Sequence, residues 1–497
     1  MKITIFGSCR QQALQKYYST TSIQESLTYP HYTKEIIQAI EYCKGISKIS
    51  QDDTKYCFRT AILNKSVINN QPQLQQEFID TDVFVVEIAS RISYEYKSNY
   101  VHHILAEEQY GIKNKQDILQ RDLTDEEIEE DLCKIKELLY PKKVLIVSHI
   151  YTRESGKRYD LIKLLENLCL KHDLPFLSPS EYLCQETDVY LEEKILAHFT
   201  EKGYGIMSMI YKNSIEDLFK TNTVVLVIKQ SYYNCIQNQT DNFWGMGDMM
   251  RSIYGAYIKS KEYNFKLIID FSHHPISDFI ICSNHKYSNE ISNNINSIYM
   301  YSNKQFNRYL SRNLNSNKTA FVGAHFGPEV YNENICDNDI KFFIKKNIRM
   351  NSHFLSCFQE KIKNISLLNF NVIHYRLGDI ELIQNIADTN KLTKYYNHLM
   401  GEITNNTILL TDSTTFKNYV KQNNDSIFLF NHDIGHIGYH SSYEKMKNSL
   451  IEYFILSKAT SIKSYSVYKW TSGFTYSIHK IYDVPLTCIS NLDDHLF

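Results

Sequence analysis

The chain has 497 residues with 54 basic and 56 acidic side chains, a net charge of −2, so it carries no electrostatic footprint for nucleic acid. Hydrophobic residues make up 43% of it, which excludes a disordered chain, and the length asks for two or three domains. Its 11 cysteines include no Cys-x-x-Cys pair, which argues against a zinc site and a disulfide framework and for a reducing compartment.

The longest apolar runs have strand length, far short of the roughly twenty residues of a bilayer span. Met1-Lys2 leads straight into the first of them, leaving no room for a signal peptide. The expectation is a soluble, cytoplasmic protein with no membrane span.

That first run, Ile3 to Phe6, reads as a short strand, and Gly7-Ser8-Cys9-Arg10 follows before a polar helical stretch. A tight turn that puts a small nucleophile at a helix start, next to a guanidinium, favours a thiolate. Val83 to Ile88 and Val144 to Val147 are buried strands, ending in Ala89-Ser90-Arg91 and Ser148-His149, where pocket residues fall on a doubly wound sheet. Another strand begins at Phe176, and Leu161 to Leu170 is a helix, so a parallel α/β sheet is expected. The acidic run from Thr124 to Glu130 is a capping box, Thr124 with Glu127, opening a helix rather than binding a metal. Further on, His198 precedes a polar turn and Gly203.

The Gly7-Ser8-Cys9 turn resembles the Phe-Gly-Asp-Ser block of the SGNH/GDSL hydrolase superfamily, with Ser8 at the aspartate position and Cys9 at the nucleophile position. It is similar, too, to a Gly-x-Cys turn in bacterial polysaccharide-biosynthesis proteins. The resemblance implies a flavodoxin-type sheet over residues 1–216 and acyl transfer or ester hydrolysis through Cys9 or Ser8, with His198 as base and an acyl donor such as acetyl-CoA. The superfamily's aspartate three residues before the histidine is Ile195 here, with Glu192 and Glu193 nearby.

A boundary falls between Glu216 and Asn222. Val224 to Ile228 then reads as a strand, followed by Phe243-Trp244-Gly245-Met246-Gly247-Asp248-Met249-Met250-Arg251 and a helical pattern. Paired glycines between strand and helix let the backbone turn tightly and approach a ligand. A strand spans Phe265 to Phe271, and His273-His274-Pro275 after it reads either as an acceptor-side loop or as a capped turn.

The apolar run Leu367 to Ile373 reads as a strand that ends in His374-Tyr375-Arg376-Leu377-Gly378-Asp379. A guanidinium at a strand end can grip a phosphate through its planar fork. Asn406 to Leu410 with Thr411-Asp412-Ser413 is strand then loop, Ser426 to Phe430 a strand, and Ser442 to Leu456 a helix. His432, His436 and His440 have metal-like spacing, but Gly435 and Gly438 interrupt any helix there and no metal is expected. Ser464, Ser466 and Ser472 belong to a last strand and helix start.

His374-x-Arg376-x-Gly378-Asp379 resembles the His-x-Arg-Arg-Gly-Asp signature of the α-1,2- and α-1,6-fucosyltransferases, with Leu377 in place of the second arginine. Gly245-x-Gly247-Asp248-x-x-Arg251 and the serine-rich strand before Ser472-Gly473-Phe474 are similar to further blocks of those enzymes. The resemblance implies a GT-B-like pair of Rossmann-type lobes, about 221–345 and 364–497, in a domain 221–497. It implies an inverting transfer of fucose or a related deoxyhexose from a GDP-sugar or other nucleotide sugar to a carbohydrate acceptor, without a required cofactor. Arg376 would neutralise the leaving diphosphate, and Gly245, Gly247, Asp248, Arg251, His374, Asp379, Asp412, Ser466 and Ser472 would hold the donor. Two other readings stand beside the bifunctional one: a transferase with an inactive carbohydrate-binding module, and a degenerate binding scaffold.

Overall fold

The computed structural model describes residues 1–108, 110, 117–183, 187–192, 198–228, 245–272, 274–281, 299–300, 303–314, 319–324, 326, 330–331, 337–363, 365, 369–377, 388–404, 406–424, 427–435, 437 and 441–496. The chain divides into two compact units, Met1–Phe219 and Lys220–Phe497.

The first unit holds strands β1 (Lys2–Phe6), β2 (Ser19–Thr20), β3 (Val83–Ile88), β4 (Ile92–Tyr96), β5 (Asn99–Tyr100), β6 (Leu119–Asp122), β7 (Lys143–Ser148) and β8 (Phe176–Leu177). Five of them form a parallel sheet in the order β2-β1-β3-β7-β8. Counted within the sheet this is the flavodoxin-type order, whose reversal point lies between β1 and β3. All six residues of β3 are buried, as the central strand of a sheet covered on both faces requires. Between β3 and β7 the chain adds a small antiparallel sheet, β5-β4-β6. The helix after it, Asp125–Leu139, opens with the capping box expected at Thr124 and Glu127 and packs on the Thr33–Lys44 helix. The core gathers Phe6, Ile36, Phe84, Val86, Ile146 and Leu165.

The second unit carries two parallel sheets. One has β9 (Thr223–Val227), β10 (Lys266–Asp270), β11 (Tyr299–Met300) and β12 (Thr319–Ala324) in the order β10-β9-β12-β11. The other has β13 (Asn371–Arg376), β14 (Thr407–Thr411), β15 (Phe428–Leu429), β16 (Ser461–Ser466) and β17 (Leu486–Ile489) in the order β15-β14-β13-β16-β17. The latter is the Rossmann half-order, reversing between β13 and β16. Leu367 and Leu368, where the apolar run begins, lie outside the described residues; β13 begins at Asn371 and runs on through the polar-ended His374-Tyr375-Arg376. The reason is that β13 pairs along its length with both β14 and β16, and these partners fix its register.

The two lobes are not separate bodies. One apolar cluster runs from Val224 and Leu226 through the Met246–Glu262 helix to Val372, Ile408, Leu450 and Ile478. A second cluster, around Tyr375, Leu377 and Phe416, covers the opposite face of the Rossmann-ordered sheet. Among the described residues no helix is long and apolar enough to cross a membrane.

Candidate functional site

Side chains alternate along a strand, so β13 sends Ile373 and Tyr375 into the apolar cluster and presents His374 and Arg376 on its other face. Leu377 continues the apolar row, 5% exposed, which removes it from the face that carries Arg376. Its N–H donates to Asp412 Oδ1 at 2.8 Å, so the carboxylate at the end of β14 fixes the turn leaving β13. Arg376 ends the strand opposite Ser466 of β16, at the reversal point, with its guanidinium 5.2 Å from the centroid of the Tyr468 ring.

His374 is buried beneath the arginine. Its Nδ1 lies 3.3 Å from Ser464 Oγ, and its ring stacks on Phe474 with centroids 6.2 Å apart. Burial first, and then the charge of Arg376, bring its pKa down to about 3, so the ring is neutral.

Two helix N-termini meet this strand end. Gly245 caps the Met246–Glu262 helix, and Ser472 caps the Gly473–Tyr482 helix. A Cβ on Gly247 would stand 2.7 Å from the backbone carbonyl carbon of Gly473, so only glycine lets the two helix starts approach this closely. The first turn of each helix has N–H groups without intrahelical partners, which favour an anion. Asp248 and Arg251 form an ion pair one turn apart, and among the described residues Arg251 Nε is buried without a hydrogen bond.

These groups line one cavity of about 250 Å³: Gly245, Gly247, Asp248, Arg251, His374, Arg376, Asp412 and Ser472 all border it. Ser466 does not. It is buried, and its hydroxyl accepts the Tyr468 N–H at 3.2 Å, which makes it part of the turn beneath the cavity. Gly378 and Asp379 lie outside the described residues, as do Phe243 and Trp244.

The far wall holds a group that motif reading missed. Glu452 is 4% exposed and borders the cavity, with His432 Nε2 at 3.0 Å and Lys417 Nζ at 3.9 Å from its Oε1. Lys417 donates to the His432 carbonyl at 3.0 Å. A signal was present: Glu452 interrupts the run Leu450-Ile451-Tyr453-Phe454-Ile455, and a carboxylate inside an apolar helix face needs buried partners. His432 is thus committed to Glu452, while His436 and His440 lie outside the described residues. His274 caps its loop, Nδ1 accepting the Ile276 N–H at 3.1 Å, and His273 lies outside the described residues.

In the first unit, the Gly7-Ser8-Cys9 turn rests on Glu87. Glu87 Oε2 accepts the Ser8 N–H at 2.6 Å and Oε1 lies 2.8 Å from His149 Nδ1. A Cβ on Gly7 would stand 2.7 Å from the Glu87 Cβ, which explains the glycine. Ser8 is buried, its N–H held by Glu87 and its hydroxyl accepting from Arg10 at 3.1 Å. Burial pushes the Glu87 pKa up, but bonds from His149 and Ser8 outweigh it and hold the carboxyl at about 2. Burial lowers the His149 pKa against the opposing pull of Glu87, so the pair is a carboxylate and a neutral imidazole whose Nδ1–H donates.

The residues after the turn form a 3-10 helix, Cys9–Lys16, in place of a longer α-helix. Cys9 is part-exposed and hydrogen-bonds Tyr29, and Tyr204 of the Glu201–Asp217 helix is a further neighbour. His198 lies two residues before the Thr200 cap of that helix, and among the described residues its side chain makes no hydrogen bond, to Cys9 or to any other group. Ile195 and Glu193 lie outside the described residues. His31, His102 and His103 stack nearby with ring nitrogens within 4.8 Å of one another. His102 Nδ1 accepts the Ile104 N–H, which places the ring proton on Nε2; as packed, that ring offers the group a donor and not a lone pair.

Residues 1–117 match the family described as the TviD N-terminal domain. No curated protein matches the chain. Among solved structures, the chain is similar to the NodZ alpha-1,6-fucosyltransferase of Bradyrhizobium soaked with GDP-fucose, at 13% identity over 53% of this chain and 93% of that one, with a TM-score of 0.32. Arabidopsis thaliana FUT1 in complex with GDP gives 10% identity over 63% and 78% of the two chains and a TM-score of 0.37. The apo form of POFUT1 gives 10% identity over 54% and 97%, with a TM-score of 0.28.

Proposed function

We propose that the second unit is a GT-B-type glycosyltransferase that moves fucose or a related deoxyhexose, with inversion, from a nucleotide diphosphate sugar to a carbohydrate acceptor. The supporting observation is the convergence of Arg376 and two helix N-termini on one cavity. In the transfer, an acceptor hydroxyl oxygen attacks the anomeric carbon and the bond to the diphosphate breaks. Negative charge then grows on the leaving phosphate, where preorganised donors contribute most to rate. The Arg376 fork and the N–H groups of the two helix starts would neutralise that charge. The His-x-Arg-x-Gly-Asp resemblance names a GDP-sugar as the donor to test first.

Arg376→Ala is expected to abolish transfer and to weaken GDP binding by at least about tenfold with the fold intact, and Arg376→Lys to recover only part, because a point charge cannot reproduce a bidentate grip. Isothermal titration with GDP, followed by a panel of nucleotide sugars, checks this. Unchanged GDP affinity together with intact transfer in Arg376→Ala would sink the assignment.

For the first unit the reading is acyl transfer onto the same glycan from an acyl thioester such as acetyl-CoA, with Cys9 as nucleophile. The favouring observation is the division of labour in the turn: Ser8 is bound up in the protein, and Cys9 is left part-exposed. A non-catalytic carbohydrate-binding module is the alternative, and acetyl-CoA turnover separates the two.

A further inference from the structure

We infer that His149, held by Glu87, is the acid–base residue of the first unit's Cys9 turn, the role that the SGNH/GDSL resemblance gives to His198. The inference rests on the acyl-transfer reading of that turn. Glu87 comes from the central strand β3, His149 follows the last residue of β7, and Gly7-Ser8-Cys9 follows β1. These three strands are neighbours, in register from Phe6 with Val86 and from Ile88 with Ser148. Their carboxyl ends therefore open at one edge, at the reversal point where α/β sheets place ligands.

A single carboxylate joins the parts. One oxygen takes the Ser8 N–H at 2.6 Å and the other faces His149 Nδ1 at 2.8 Å, so the nucleophile turn and the imidazole hang from the same group. Glu87 is 1% exposed, and a buried carboxylate that spends both oxygens this way fixes the tautomer and plane of its histidine. With Nδ1 donating, Nε2 carries the lone pair. Nε2 has no protein partner among the described residues and is not sealed from solvent, the arrangement of a working base. His198 has none of this: no carboxylate orients it among the described residues.

The chemistry balances without a further reactant beyond an acyl thioester and a sugar hydroxyl. The Cys9 thiol gives its proton to His149 Nε2 as Sγ attacks the acyl carbonyl. The bond to the donor's sulfur breaks, and the leaving thiolate takes the proton from His149. In the second half, the sugar hydroxyl gives its proton to His149 as its oxygen attacks the Cys9 thioester, and the departing Cys9 thiolate takes that proton back. Glu87 touches no reactant and is a positioning residue.

The test uses the full chain and two readouts: acetylation of the Cys9 peptide by acetyl-CoA, and its carbamidomethylation by iodoacetamide, both followed by mass spectrometry across pH. His149→Gln keeps an amide donor for Glu87 but no base, so it preserves the fold where alanine could not. It is expected to slow Cys9 acetylation by about a hundredfold or more, with partial recovery on added imidazole, and His198→Ala to stay within about twofold of wild type. Glu87→Gln should displace the pH profile, to which His31, Arg10 and Arg158 beside His149 also contribute. Wild-type rates in His149→Gln, or loss only in His198→Ala, overturn the inference and leave Cys9 acyl transfer standing. Wild-type protein whose Cys9 is alkylated in a His149-dependent way but never acetylated removes the acyl donor and keeps the base. Cys9 labelled only after denaturation overturns both.

Discussion

Arg376 and His374 share a strand face but carry opposite requirements, one charged and one neutral. His374 has a pKa of about 3 in the folded protein against 6.5 unfolded, because burial and then the arginine oppose its charging. Between those values the unfolded chain takes up a proton that the folded one refuses. Stability is therefore fully present above about pH 6.5 and is lost as pH falls toward about 3, at up to about 1.4 kcal/mol per pH unit for this proton. His374→Gln is expected to flatten the acid limb by that amount, read as the difference between wild-type and variant denaturant melts from pH 7 to pH 4. Equal slopes would show that His374 charges freely. At this scale the residues were brought forward by a resemblance, since a glycine turn alone has ordinary uses, and the structure sets Gly245, Gly247, Asp248, Arg251, His374, Arg376, Asp412 and Ser472 around one cavity. Leu377 was legible only as a departure from a signature. That it belongs to the apolar row with Ile373 and Tyr375 follows from the alternation of β13, whose register is set by partners distant in sequence. Of the Glu452–His432–Lys417 group only Glu452 left a local signal, as a carboxylate inside an apolar helix face; its partners come from another helix and a loop distant in sequence.

The elements that shape the cavity are two helices whose first turns touch. Gly247→Ala would push a methyl group to 2.7 Å from Gly473 backbone, which cannot swing aside as a long side chain can. The helix starts must spread, at a cost of about 1–3 kcal/mol in stability, and the N–H groups leave their alignment. GDP affinity is expected to fall by about tenfold, or about 1.4 kcal/mol. Gly401→Ala is the control: it sits in the last turn of the Thr389–Glu402 helix with nothing within 4 Å of an added Cβ, so alanine should raise stability by up to about 1 kcal/mol. Thermal melts and calorimetry on the two variants read both quantities. A Gly247→Ala protein with wild-type melting and affinity would mean that the close approach is dispensable. Element types were readable where periodicity was clean, as in the Asp125–Leu139 helix. The start of β13 was not: its pairing begins at Asn371, set by partners distant in sequence.

On the scale of the whole molecule, each unit has an apolar core of its own. Residues of the first unit cluster around Ile36, Val86 and Ile146, and those of the second around Val224, Ile253, Val372 and Ile451, and around Tyr375 and Phe416. Among the described residues, these clusters each draw on one side of the Phe219–Lys220 division. A unit of either size, with a complete parallel sheet and its own covering helices, has the means to fold alone. The cavity's lining residues run from Gly245 to Phe474, all in the second unit. A fragment of residues 220–497 is therefore expected to unfold in one cooperative transition and to bind GDP within about threefold of the full chain, and a fragment of residues 1–219 to fold and bind none. Loss of Cys9 chemistry should leave donor affinity in the full chain untouched. Circular dichroism establishes that each fragment is folded, and titration with GDP decides the rest. A folded 220–497 fragment that binds no GDP, when the full chain does, would show that the donor site needs the first unit and would end the reading of two independent activities.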